Sequence, residues 1–314
     1  MILCCGEALI DMIPMTGADG VRGFQPLAGG AVFNTAIALG RLEKSAGFFF
    51  GLSTDLFGQQ LKATLESSKV DHSLCVSSDR PTTLAFVELT DGQASYTFYD
   101  EMSAGRMLTA ERLPSIPADV SALFFGGISL INEPCAETLA YLQRREARDR
   151  VIMLDPNIRT GFISDTKTYR KRINAMIELS DIVKVSDEDL SWLVPGEGTL
   201  DHKCRMLQRM GPSLIVLTRG GDEVTALMSD GERISVKPKR VKVVDTVGAG
   251  DTFNAGLLAK LSDLGVLTKP GIAEIDAALL KAALTFGTEV AAITVSRSGA
   301  DAPWLHELSK RAKS

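Results

Sequence analysis

The chain has 314 residues, 45% of them hydrophobic and 23% charged, the balance of a folded protein with a large buried core. A net charge of −5 supplies no broad basic field and 6% aromatics supply no stacking surface, so nucleic acid and acidic membranes are excluded as partners. The opening MILCCGEALIDM has no positive n-region, and no apolar run of about 18 residues occurs, so neither a leader nor a membrane span is expected. The five cysteines (Cys4, Cys5, Cys75, Cys135 and Cys204) are odd in number and form no C-x-x-C pair, which implies reduced thiols and a cytoplasmic protein. His72, His202 and His306 are scattered, without metal-ligand spacing.

In chain order, the first element is the apolar run ILCCGEAL (2–9), read as a strand. The Gly-rich stretch IPMTGADGVRGFQP (13–26) reads as irregular. TAIALGRLE carries helical spacing, AGFFFGLS (46–53) is a strand, and GQQLKATLESSKV is a helix. Residues 82–99, TTLAFVELTDGQASYTFY, alternate apolar and polar around Asp91-Gly92, a hairpin signal. The runs ALFFGG (122–127), VIMLD (151–155), DIVKV (181–185) and LIVLT (214–218) are strands, with ETLAYLQRREARD a helix among them. A second hairpin falls near 225–238. RVKVVD (240–245) reads as a strand, TFNAGLLAKL as a helix, AAITVS (291–296) as a last strand, and the terminal KRAKS as fraying. Continuous apolar runs suit strands buried on both faces, so the expected fold is a doubly wound, mostly parallel α/β sheet with helices on both faces. With no linker in view, residues 1–314 form one domain, with a small inserted β lid at about 12–26 and 82–105.

The stretch DTVGAGDTFNAG (245–256) carries the chemistry. Ligands of open α/β sheets bind at the carboxyl ends of strands. Here Asp245 would end a strand and a helix would begin near Asp251. A helix N-terminus offers unpaired N–H groups and partial positive charge, and Gly248 and Gly250 let the backbone approach an anion closely. A carboxylate beside that anion has a task if it takes a proton from an attacking hydroxyl; the alternative is an Asp that merely caps the helix. No lysine follows, so this is not a Walker A loop, and Phe253 stands where a dinucleotide fingerprint needs its third glycine.

DTVGAGDTFNAGLL resembles the C-terminal signature of the PfkB family of sugar kinases, which have the ribokinase-like fold. Gly29-Gly30-Ala31-Val32-Phe33-Asn34-Thr35-Ala36 resembles the family's Gly-Gly element before a helix, and LTRGGDEV (217–224) its nucleotide-side turn. GEALIDMIP (6–14) is similar to the opening of bacterial and plant fructokinases. DPNIR (155–159) recurs in fructokinases and 2-keto-3-deoxygluconate kinases. The resemblance spans the chain from residue 6 to about 300.

It implies an ATP-dependent kinase acting on a sugar hydroxyl, with fructose the first choice, 2-keto-3-deoxygluconate the alternative, and a non-catalytic sugar-binding protein a further one. Asp251 would be the general base, and the amides from Val247 through Gly248 and Ala249 to Gly250 the anion hole. Asp11 at the end of the first strand, Gly29, Gly30, Asn34, Asn157, Arg159 and the lid aromatic Phe98 would hold the sugar. Lys184, Thr218, Gly220, Gly221 and Gly287 would serve the nucleotide, with adenine between the 221–226 turn and the helix around 283–287. Mg²⁺ would arrive with ATP. Where the family has Asn-x-x-Glu this chain has Ser186 and Asp189, so the metal-side carboxylate is left between Asp189 and Glu188, and Ser186-x-x-Asp189 also reads as a helix cap. A K⁺ site would use Asp245, Val247, Thr294, Arg297 and Gly299, and the lid would pair two subunits into a homodimer.

Overall fold

The structure, a computed structural model, describes residues 1–90 and 93–311. Its elements in chain order are β1 Ile2–Cys5, β2 Leu9–Thr16, β3 Arg22–Gly29, α1 Ala31–Arg41, β4 Ala46–Phe49, β5 Gly51–Ser53, α2 Leu56–Ser67, β6 Val70–Asp71, β7 Val76–Ser78, β8 Leu84–Thr90, β9 Gln93–Tyr99 and β10 Ala122–Gly126. There follow α3 Cys135–Glu146, β11 Val151–Asp155, α4 Thr166–Glu178, β12 Ile182–Ser186, α5 Asp187–Leu193, α6 Leu200–Gln208, β13 Leu214–Thr218, β14 Val224–Leu227 and β15 Arg233–Val236. The last are α7 Ala249–Asp263, α8 Lys269–Ala273, α9 Ala277–Thr294 and α10 Leu305–Arg311. The Asp91-Gly92 turn and residues 312–314 of the tail lie outside the described residues.

The main sheet runs β15-β14-β13-β12-β11-β10-β1-β4-β6. It is parallel from β6 to β13 and closes with the antiparallel pair β14 and β15. The central runs are continuously apolar because both faces are covered: Leu3, Cys4, Phe48, Phe124, Ile152 and Val183 are all buried. Strand order reverses at β1, which lies between β4 and β10 and leaves a crevice at their carboxyl ends.

A second sheet, β3-β2-β8-β9, gathers the two segments expected to form the lid. The stretch 13–26 is therefore not irregular: it is most of the antiparallel hairpin β2–β3, in register from Leu9↔Gly29 to Thr16↔Arg22. Its glycines mark the turn and the strand ends rather than a loop. The apolar run 2–9 breaks after Cys5, so Asp11 lies inside β2 of the lid and does not end β1.

Two expected strands are absent. AAITVS is the C-terminal end of α9 with its cap Val295; the apolar residues continue a helical pattern in which Leu280, Ala283, Leu284, Gly287, Val290 and Ile293 face inward. RVKVVD forms no strand because β15 has already ended the sheet; the backbone N–H groups of Val244 and Asp245 donate instead to the Val295 carbonyl, at 2.8 and 3.3 Å. α9 is also long and apolar enough by composition to cross a membrane, but half of it is buried in this fold, where it packs along α7.

Candidate active site

α7 begins at Ala249, two residues before the expected Asp251, and Gly248 is its N-cap at φ 77°, ψ 0°. That left-handed conformation and the lack of space require glycine: a Cβ at Gly248 would lie 2.6 Å from Ala300 Cβ. Asp245 Oδ1 accepts from Val247 N–H at 3.0 Å and Oδ2 from Gly299 N–H at 2.9 Å, tying the approach to α7 onto the segment after α9. Ala249 N–H donates to Thr246 O. Of the four amides expected in the anion hole, Val247 and Ala249 are thus occupied. Those of Gly248 and Gly250 have no acceptor among the described residues. Two of the four amides expected there are therefore open.

Asp251 sits in the first turn of α7 and is 8% exposed. It does not cap the helix. Asn34 Nδ2 donates to its Oδ2 at 2.9 Å, and Thr35 Oγ donates to its main-chain oxygen, so α1 locks the position of the carboxylate. Burial pushes the carboxyl up to about 7, against the pull of the Asn34 hydrogen bond; Asp155 adds to the rise and Lys184 opposes it. A carboxyl poised there accepts a proton at neutral pH and can release it again.

Beneath Asp251 lies a charged hub that sequence reasoning passed over. Asp155, at the end of β11, accepts from Lys184 Nζ at 3.0 Å, Asn254 Nδ2 at 2.7 Å and Asn157 N–H at 3.2 Å. Burial pulls the Lys184 pKa down, but Asp155, with Asp189 and Asp251, outweighs it and holds the pKa above the ordinary lysine value. A fixed ammonium therefore faces the cavity; a Cβ at Gly250 would lie 3.2 Å from it. An acid closing an apolar parallel strand was the signal for Asp155.

A cavity of about 340 Å³ opens between this hub and the lid. It is lined by Asp11, Gly30, Asn34, Phe98, Asn157, Arg159, Lys184 and residues 246–251, and also by Glu7, Tyr96, Asp155 and Phe162, which the sequence reading did not name. Asp11 makes no hydrogen bond or ion pair within the described residues, and burial pushes its carboxyl up to about 6. Phe98 packs edge-on against Phe162, 4.5 Å between centroids, and so roofs the cavity from the lid. Gly29 is not part of the lining: a Cβ there would collide with Asp11 Oδ2, so it makes room for the acid and not for a ligand. Gly30 lines the cavity, but its own close approach is to Glu7.

A second cavity of about 410 Å³ is more apolar, lined by Thr218, Gly220, Gly221, Val224, residues 238–241 and 243, Phe253, Thr288, Ala291, Ala292 and Val295. Its helix wall is one to two turns beyond the expected 283–287. Gly287 does not line it and instead packs where α7 crosses α9, its Cα 2.8 Å from where a Gly256 Cβ would lie. Lys184 belongs to the first cavity and not to this one. The two cavities share Thr246, Ala249 and Gly250, so they meet at the N-terminus of α7.

Ser186 and Asp189 form a reciprocal capping box on α5. Asp189 Oδ2 accepts from Ser186 N–H and Oδ1 from Ile158 N–H at 2.9 Å, so both oxygens serve the fold and the exposed Glu188 is the carboxylate left over. In the expected cation segment, Thr294 Oγ donates to Val290 O and the Arg297 guanidinium pairs with Asp301 and Glu307, which leaves only backbone groups there. No cluster of three or more His, Cys, Asp or Glu side chains suited to a metal occurs among the described residues.

A polar cavity under a lid, an apolar cavity beside it, and a helix N-terminus with a buried carboxylate between them define a small-molecule phosphotransferase. The model of the pfkB family carbohydrate kinases matches residues 1–307, and the chain belongs to that family. It is 51% identical to a fructokinase of Rhizobium leguminosarum bv. trifolii over 90% of this chain and 86% of that protein. It is 32% identical to a probable fructokinase-7 of Arabidopsis thaliana, over 96% and 88%. The crystal structure of a Xylella fastidiosa fructokinase with bound ATP superposes with a TM-score of 0.89 at 27% identity, covering 100% of this chain and 99% of that one. A Vibrio cholerae O395 fructokinase variant, in a form bound to fructose, ADP and potassium ion, superposes at 0.85 with 25% identity over 98% and 97%. The doubly wound, ribokinase-like fold expected from the sequence stands.

Proposed function

We propose that the chain is an ATP-dependent fructokinase in which Asp251 is the general base. The observation that carries this is the meeting of the two cavities at α7, with the Asp251 carboxyl held at about 7 on the polar side. Fructose would lie under Phe98 with hydroxyls donating to the unpaired Asp11, and ATP in the apolar cavity with its phosphates toward Gly250. Asp251 takes the proton from the attacking hydroxyl as that oxygen bonds to the γ-phosphorus. The bond to the β-bridging oxygen breaks, and ADP leaves with its electron pair. The open N–H groups of Gly248 and Gly250, the α7 dipole and the fixed Lys184 ammonium face the charge that spreads over the transferring group. Arg159, whose guanidinium makes its one hydrogen bond among the described residues to the Ile158 carbonyl, is a further cation for phosphate or sugar.

Mg²⁺ would travel with ATP and neutralise its phosphates, with Glu188 the carboxylate free to meet its water shell. K⁺ would lie among Asp245, Val247, Thr294, Arg297 and Gly299, mostly through backbone carbonyls, a reading supported by the Asp245 bridge to Gly299 and by the potassium-bound relative. One domain with its lid, paired through that lid as a homodimer, completes the reading. The five free cysteines fit the reducing cytoplasm.

An ADP-release assay with MgATP and K⁺, run on fructose, 2-keto-3-deoxygluconate, ribose and adenosine, tests it. Turnover on fructose alone is expected. Turnover on the keto-acid instead would overturn the assignment and move Arg159 onto a carboxylate.

A further inference from the structure

Glu7 has no contact role in the chemistry above beyond helping to raise the Asp251 carboxyl, yet it is 4% exposed and borders the sugar cavity. Its Oε1 accepts from Ala31 N–H at 3.1 Å and its Oε2 from Ser129 N–H at 3.2 Å. Ala31 opens α1, three residues before the Asn34 that holds Asp251. Ser129 lies in the turn after β10, whose Gly127 and Ile128 line the same cavity. The glycines on either side are built around this side chain. Gly127 has φ 68°, and a Cβ there would land on the Glu7 carboxylate; Gly30 has φ 110°, and a Cβ there would lie 2.8 Å from Glu7 O. The Glu7 carbonyl also accepts from Phe33 N–H at 3.3 Å.

We propose that Glu7 is a positioning residue for the sugar: its carboxylate clamps the opening of α1 to the 127–130 turn and so fixes the spacing of two walls of the acceptor cavity. A residue serving only to stabilise α1 would need one of these amides. Bridging both, from segments about a hundred residues apart, sets a distance across the site. A carboxylate has two acceptor oxygens for two N–H donors, whereas glutamine has one acceptor and turns an NH₂ group against the other amide. Aspartate is a methylene shorter and reaches one amide only. Neither substitution preserves the clamp.

The inference rests on the sugar-kinase reading, so the unaltered enzyme is first assayed on fructose, which decides that reading by itself. Glu7→Gln is then compared with it by steady-state kinetics, varying sugar and ATP separately, and by hydrogen exchange. A hydrogen bond lost from one wall, with a buried amide left unpaired, should raise the sugar KM about tenfold or more. The KM for ATP should stay within about twofold, because the nucleotide cavity has no contact with Glu7. Exchange should accelerate in peptides covering 29–34 and 127–131 and not in 288–295. A sugar KM within about twofold of the original, or sugar and ATP KM values rising together, overturns the proposal. So does exchange that loosens both cavities alike. The exchange arm reads the clamp whichever sugar is the substrate.

Discussion

As the proposed base, Asp251 would have to be ionised to take a proton, and its surroundings resist that. Burial, then Asp155 and Glu7, push its carboxyl up, while Asn34 and Lys184 pull it down, and the balance lies at about 7. The acid limb of kcat/KM should therefore fall near pH 7, tenfold per unit below it; a limb in the ordinary carboxylate range in a pH–rate profile would remove Asp251 as the base. The same shift has a stability sign. A carboxyl with a folded pKa of about 7 and an unfolded one near 3.8 binds protons more tightly when folded, so stability declines as pH rises between the two values. The ionised base is a destabilising group at pH 8. Asp251→Asn should abolish turnover, by about a thousandfold or more, while raising Tm at pH 8 by about 2 °C or more. That gain should shrink toward pH 5, as differential scanning calorimetry would show. That Asp251, Asn34 and Arg159 line one cavity was legible because they stand in motifs whose residue types suggested a shared site. Glu7 and Asp155 were not, because their partners are backbone amides, an ammonium and an amide far away in sequence, and only the fold brings these together.

Elements were legible where burial on both faces makes an apolar run unambiguous, as in VIMLD and LIVLT. AAITVS failed because a short apolar run fits a strand and a buried helix equally; the pattern across 277–294 resolves it. Its helix packs along α7, which carries Asp251. At their crossing, a Cβ on Gly256 would lie 2.8 Å from Gly287 Cα and 3.1 Å from Val290 Cγ2, and one on Gly287 2.9 Å from the Phe253 ring. Alanine improves an exposed helix by about 1 kcal/mol over glycine, but overpacking a closed interface costs about 1–3 kcal/mol. The second effect wins where backbone is the obstacle. Gly256→Ala should lower Tm and, by displacing the helix that carries Asp251, lower kcat as well. A variant as stable and as active as the original would show that α7 and α9 can separate freely.

At the scale of the molecule, strand alternation gives the lid two faces with different work. Asp11, Ala85, Phe98 and Tyr96 lie on one, in register across β2, β8 and β9, and three of these four line the polar cavity. The other face carries Phe24, Phe86 and Tyr99. Phe86 sits edge-on to Phe24 at 5.0 Å and to Tyr99 at 5.5 Å, with Phe24 47% and Tyr99 59% exposed. The sequence announced the β8–β9 hairpin through its alternation, but not which residues face outward, since that depends on the pairing of β2 with β8, about 75 residues apart. An aromatic strip turned from the site, on a sheet whose outer strands β3 and β9 pair with no further strand among the described residues, is suited to burial against a second lid. A dimer buried there would hold both lids over their sugars. Phe24→Glu places a charge in that strip without touching the cavity. Light scattering should find the original chain dimeric and this variant monomeric. The sugar KM should rise because the lid is no longer supported, while the KM for ATP is unchanged. An original chain that is monomeric at assay concentration, or a variant that stays dimeric, would take the interface away from the lid.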